Sequence, residues 1–239
     1  MIGAILWGGL AAASLLIGYF LAMRGPSREV TGLIMGIGAG ALVAAIAYEL
    51  VPESNLNGWG MALGFALGAV AFFAGDWVID RRGGEDRKDI AAGSGAGSGA
   101  AIFIGTLLDN VPESIILGMG LVLGGAINLA FLVAVFVSNL PEGVAGSLNL
   151  AASGYTRDKI LGMWLALIAV SSVCAGMGYG IATWLPGVDG RIAQAFAAGA
   201  MLTMLADAMM PEAFEHGGKT VGLFTALGFL LAAVLSVLE

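Results

Sequence analysis

Apolar residues along this chain come in blocks rather than in alternation. From Met1 to Met23 there is no charged residue, and further apolar blocks follow to the end of the sequence. With charged or turn-rich breaks as boundaries, the blocks lie near 1–23, 30–53, 58–80, 98–124, 127–152, 159–185, 190–213 and 218–238. A bilayer crossing takes roughly 20 apolar residues in a helix. No period-two pattern is sustained, and Gly and Ala abound, which argues against strands. In lipid only helices and closed barrels satisfy their own backbone, so the pattern predicts an all-α membrane protein of eight transmembrane helices. The breaks are short except 81–97, a charged run followed by a Gly/Ser stretch with the composition of a flexible linker. That loop divides the chain into three spans and five within one transmembrane domain, 1–239.

Composition agrees: 59% of the residues are hydrophobic and 11% charged, where a soluble domain carries about 25% charge. The basic residues set the orientation. With eight spans the loops alternate sides, and one side collects Arg24, Arg28, Arg81, Arg82, Arg87, Lys88, Arg157, Lys159 and Lys219, leaving only Arg191 for the other. The loops after spans 1, 3, 5 and 7 are therefore predicted in the cytoplasm, with both termini outside. The first block lacks a positive n-region and exceeds a signal-peptide h-region, so it reads as a span. Cys174 is the only cysteine, which excludes an intrachain disulfide and a thiolate cluster. The net charge of −7 comes from carboxylates, several of them inside apolar blocks, and nothing points to nucleic acid.

One dipeptide recurs: Pro-Glu at 52–53, 112–113, 141–142 and 211–212. Span 2 from Gly40 (GALVAAIAYELVPES) aligns without a gap on span 7 from Gly199 (GAMLTMLADAMMPEA). LDNVPES from Leu108 aligns on VSNLPEG from Val137. The members of each pair run in opposite directions, as in the inverted repeats of secondary transporters. Spans 1–3 and 6–8 form the two predicted repeats, with spans 4 and 5 as a central pair. The segments are thus 1–80, the loop 81–97, the helix pair 98–152 and 153–239.

Pro112 and Pro141 each remove one helical N–H, freeing the carbonyls of Leu108 and Val137. Asp109 and Glu113 are four apart and share a face, which Asn110 joins, while Ser138 and Glu142 share a face with Asn139 beside them. A charge at the membrane centre costs about 2.5–3.5 kcal/mol on insertion scales. No Lys or Arg in any span can pair with Asp109, Glu113 and Glu142. Two states remain: protonated carboxyls in a structural cluster, or carboxylates neutralised by a cation. Carboxylates, amide oxygens, a hydroxyl and freed carbonyls make an oxygen-rich set suited to a divalent ion. An outer polar group, Tyr48, Glu49 and Glu53, and an inner one, Asp207, Glu212, Glu215 and His216, then read as stations at the two mouths of a path. Glu212 and His216, four apart, could share a metal. Asp76 and Asp80 read as interfacial. The single histidine and the lack of an HExxH motif leave no catalytic constellation.

At these residues the sequence resembles the ZIP (Zrt/Irt-like) family of divalent metal transporters. DNVPES at 109–114 and SNLPEG at 138–143 carry the sharpest likeness, and YELVPES at 48–54 and PEAFEHGG at 211–218 resemble the family's second and seventh segments. The resemblance implies a 3+2+3 plan and a metal site on Asp109, Asn110, Glu113, Ser138, Asn139 and Glu142. It also implies influx of a divalent cation as substrate, with no organic cofactor, by elevator-like alternating access in a homodimer. A prokaryotic type in a plasma membrane is expected. The chain departs from the family pattern where Asp109 and Ser138 replace histidine or another strong ligand, and where 159–185 lacks the usual glutamate for a second metal. An all-oxygen set shifts preference toward harder ions such as manganese, with zinc and iron also in range. A proton-coupled or other small-cation carrier, and a metal sensor without transport, use the same carboxylates and remain alternatives.

Overall fold

Long apolar runs with few charges make long helices here, because the intrahelical ladder is the one way for such a run to pair its backbone within itself. The computed structural model describes residues 1–54, 59–84, 99–184 and 190–238, and of Glu53, Ser54, Gly83 and Gly84 the backbone alone. Among these residues every regular element is helical. The helices are α1 (Ile2–Ala22), α2 (Arg28–Ala45), α3 (Trp59–Ile79), α4 (Gly99–Leu123), α5 (Leu129–Ala152), α6 (Arg157–Trp184), α7 (Gly190–Met204) and α8 (Val221–Leu238). Two of them continue through a π turn into a further helical segment, α2 by Ile46–Leu50 and then Val51–Ser54, and α7 by Leu205–Met209 and then Met210–Gly217, while α3 ends in a π turn, Asp80–Gly84. Most of the predicted 81–97 loop lies outside the described residues.

Among the described residues seven helical stretches have the length and hydropathy of membrane crossings. The last of them, Gly190–Leu238, runs 49 residues, which as one straight helix would measure about 73 Å, over twice the hydrocarbon thickness. It is not straight. Gly218 adopts φ 61° and ψ −158°, a conformation that costs only glycine little, and a 3-10 turn, Gly218–Thr220, follows. Neighbours along α2 fix the directions on either side of it. Ala213 and Gly217 lie against Gly32, and Met209 against Gly38, so this stretch runs opposite to α2. Val221 lies against Gly36, and Thr225 and Phe229 against Gly40, so α8 runs with α2.

Glycine allows the closest approaches. A side chain on Gly40 would collide with Thr225 O, and one on Gly228 with Ile37 O, which locks α2 to α8. The α3–α7 pair repeats this arrangement: Gly199 abuts Phe65 O and Gly68 abuts Phe196 O. A second set joins α1, α4, α5 and α6, through Gly18 and Gly143 between α1 and α5, and Gly118 and Gly178 between α4 and α6. Between the two sets, α2, α4, α5 and α7 share the larger apolar core, which contains Met35, Leu42, Leu117, Phe131, Met204 and Met209. α5 is the most enclosed crossing, with 72% of its apolar window buried, against 22% for α3. Of the helix pair carrying the predicted ligands, α5 thus sits at the centre and α4 is about half enclosed, with α3 at the rim.

Asp76, expected to be interfacial, is 3% exposed and faces into the bundle. The Gly-rich, apolar face of α3 turns that side inward, while Arg81 stacks over the Trp77 ring, 3.6 Å from its centroid.

Candidate metal centre

α4 and α5 stay continuous through Pro112 and Pro141. Each helix presents its polar residues to the protein interior. Asp109, Asn110, Glu113, Ser138, Asn139 and Glu142 are all buried, none more than 4% exposed. The neutral members are fixed by their donors. Asn110 Nδ2 donates to Thr106 O at 3.1 Å, Ser138 Oγ to Val135 O at 2.9 Å and Asn139 Nδ2 to Ala11 O of α1 at 3.5 Å. With the nitrogens committed to carbonyls, each amide has oxygen left to offer a cation.

Two features of the surroundings were not read from the sequence. Gly38 of α2 faces Ser138, so closely that a Cβ there would stand 2.8 Å from Ser138 Cα and 3.0 Å from the Met209 methyl. α2, α5 and α7 therefore converge on the first residue of the SNLPEG motif. One turn beyond Glu142, Trp164 Nε1 donates to Ser147 Oγ (2.9 Å), which donates to Gly143 O (2.6 Å). This chain pins α5 to α6 behind the carboxylate. Among the described residues no three His, Cys, Asp and Glu side chains gather as a metal cage. A ligand set here must combine carboxylate with amide, hydroxyl or backbone oxygen, which suits a hard divalent ion.

The expected path residues divide. Glu49 is buried at the α4–α5 end of the bundle and lines a cavity of about 610 Å³ with Asn128, Gln194 and Phe131. Tyr48 turns away from it, 45% exposed, toward the Phe229 ring at 6.0 Å. The side chain of Glu53 lies outside the described residues. At the other end of α7, His216 Nδ1 stands 3.0 Å from Glu212 Oε1, with both residues part-buried. An imidazole donating from Nδ1 in this way offers Nε2 to a metal. Asp207 and Glu215 are exposed on the outside of α7. Asn128 and Gln194 were missed: in the sequence they are single polar residues at helix starts, without a motif.

No protein-family model matches the chain. It is 28% identical over 203 residues to a protein of Arabidopsis thaliana named "Putative zinc transporter". The match covers 79% of this chain and 31% of that protein, so the chain spans about a third of its relative's length.

Proposed function

We propose that this protein carries divalent transition-metal cations, zinc, manganese or iron, across a membrane through a site between α4 and α5. The observation that carries the reading is the burial of Asp109, Asn110, Glu113, Ser138, Asn139 and Glu142 on two helices that contain no Lys or Arg. Buried carboxylates without a basic partner on their own helices are costly unless protonated or neutralised by a cation, and the anchored amides and Ser138 add oxygen ligands. The likeness to a protein named for zinc transport favours the cation.

In this reading the stretch from Gly190 crosses twice, turning at Gly218, and completes eight crossings in a 3+2+3 plan within one transport domain. The inverted repeat is supported by the π turns at Ile46–Leu50 and Leu205–Met209, which match in the ungapped alignment, and by the paired glycine contacts of α2–α8 and α3–α7. The α4–α5 end faces outside, by the distribution of basic residues, so that Glu49 is the outer station and Glu212 with His216 the inner one. The tightly joined α1, α4, α5 and α6 form the moving body of an elevator against α2, α3, α7 and α8. The homodimer, the prokaryotic type and the plasma-membrane location rest on the family resemblance alone; the relative found is a plant protein.

Uptake into liposomes holding the purified protein tests the function, with zinc, manganese, iron(II), cadmium and magnesium offered in turn. Saturable uptake of a transition metal that the Glu113→Ala/Glu142→Ala variant loses supports the carrier. Flux that follows the pH gradient without metal favours a small-cation carrier, and metal binding without flux favours a sensor.

A further inference from the structure

The cavity at the α4–α5 end holds a carboxylate that lies apart from the central site. Glu49 is 9% exposed. Its Oε2 accepts a hydrogen bond from Asn128 Nδ2, while its Oε1 is buried without a hydrogen-bond partner. The other end of the same amide is also in use: Asn128 Oδ1 accepts the Phe131 N–H at 2.7 Å and so caps α5. One side chain thereby ties the Glu49 carboxylate of α2 to the first turn of the helix that bears Ser138, Asn139 and Glu142. Gln194 of α7, 2% exposed, and Ser236 of α8 line the same cavity.

A buried acceptor left without a partner costs about 1–3 kcal/mol, more when charged. The positive end of the α5 dipole offsets part of the Glu49 charge through the Oε2 side. Oε1 remains to be satisfied from the cavity. At about 610 Å³ the space holds an ion with its hydration shell, a water filling roughly 30 Å³.

We propose that Glu49 and Gln194, with Asn128 as the positioning residue, form a second cation site that takes one partly hydrated divalent ion. One carboxylate and one amide oxygen favour a hard ion that keeps most of its water, bound more weakly than at a multi-carboxylate centre. Because Asn128 also caps α5, a cation that draws on the Glu49 carboxylate acts on the N-terminus of the helix leading to the central site. Binding here is independent of transport; its use as a waiting position for cargo rests on the proposed carrier function.

Manganese(II) binding to the whole chain in nanodiscs, followed by loss of the free-ion electron paramagnetic resonance signal, tests the site. In the Glu113→Ala/Glu142→Ala background one weaker manganese per chain should remain. Adding Glu49→Gln keeps the shape and the acceptor for Asn128 but removes the charge, and should weaken that residual binding by about tenfold or more. Asn128→Ser keeps a capping oxygen but cannot reach Glu49, and should weaken it by a smaller factor. Unchanged melting curves for both variants would exclude misfolding. No residual manganese, or residual binding indifferent to Glu49→Gln, overturns the outer site. If the parent protein and the Glu113→Ala/Glu142→Ala variant bind manganese alike, the central site fails instead, and the Glu49 comparison still decides this one.

Discussion

The π turns at Ile46–Leu50 and Leu205–Met209 present one backbone and two chemistries. In each, the N–H that follows the turn, of Val51 or Met210, donates to the carbonyl at its start, Ile46 or Leu205. In each, the last residue is buried and the second and third are exposed. Each is preceded by a glycine locked onto a neighbouring helix, Gly40 or Gly199, and followed by a proline, Pro52 or Pro211. The shared backbone follows from this frame of glycine and proline. The side chains between are free to differ: Tyr48 and Glu49 occupy the places of Asp207 and Ala208. At one end a buried carboxylate meets a helix cap and a cavity. At the other, the acid lies one turn further on, as Glu212 beside His216. Similar packing therefore carries two chemically different helix ends.

The comparison breaks most sharply at the glycines. Gly40→Leu and Gly199→Leu each force a side chain into a backbone carbonyl, and each should destabilise the protein by at least the roughly 1–3 kcal/mol of an overpacked core. Similar losses in thermal unfolding temperature would sharpen the equivalence of the two segments, whereas one tolerant site would break it. Next come the mouths. His216→Ala should slow metal uptake several-fold at limiting metal, the loss of one ligand being worth about 1 kcal/mol or slightly more; unaltered uptake kinetics would remove the Glu212–His216 pair from the path. Trp164→Phe deletes the hydrogen bond to Ser147 and should cost about 1 kcal/mol of stability, seen as a lowered unfolding temperature without a change in metal stoichiometry. Smallest of all is Ala208→Glu, which puts an acid at the α7 place equivalent to Glu49. Since among the described residues no asparagine is seen capping a helix there, manganese stoichiometry should not rise; a new bound ion would show that the backbone alone makes the site.

Much of the fold was legible because membrane helices write themselves as apolar blocks, and the Pro-Glu repeats marked the segments that matter. The six polar residues of the helix pair 98–152, all buried, stand out through three- and four-residue spacing on two helices. What could not be read depends on tertiary approach. Gly38 carries no signal of facing Ser138, and Asn128 and Gln194 acquire a role only because α2, α5 and α7 meet around one cavity. That Asp76 lies on the inward face of α3 likewise depends on packing. Tyr48, Glu49 and Glu53 read as one polar group by their place near the end of span 2, whereas Glu49 is buried and Tyr48 is exposed. The sequence suggests a short break between 213 and 218, and the chain turns at Gly218, glycine being the residue that a φ of 61° needs.

The most direct test of the central site is equilibrium metal content, measured for zinc and manganese on the parent protein and on Glu113→Ala/Glu142→Ala side by side. A cation held by the buried carboxylates predicts a tightly bound metal in the parent and an affinity weaker by at least about 100-fold in the variant, because removing charge partners from a buried set costs several kcal/mol. Equal metal binding by the two proteins, or none by either, would contradict it and leave Asp109, Glu113 and Glu142 as protonated structural groups.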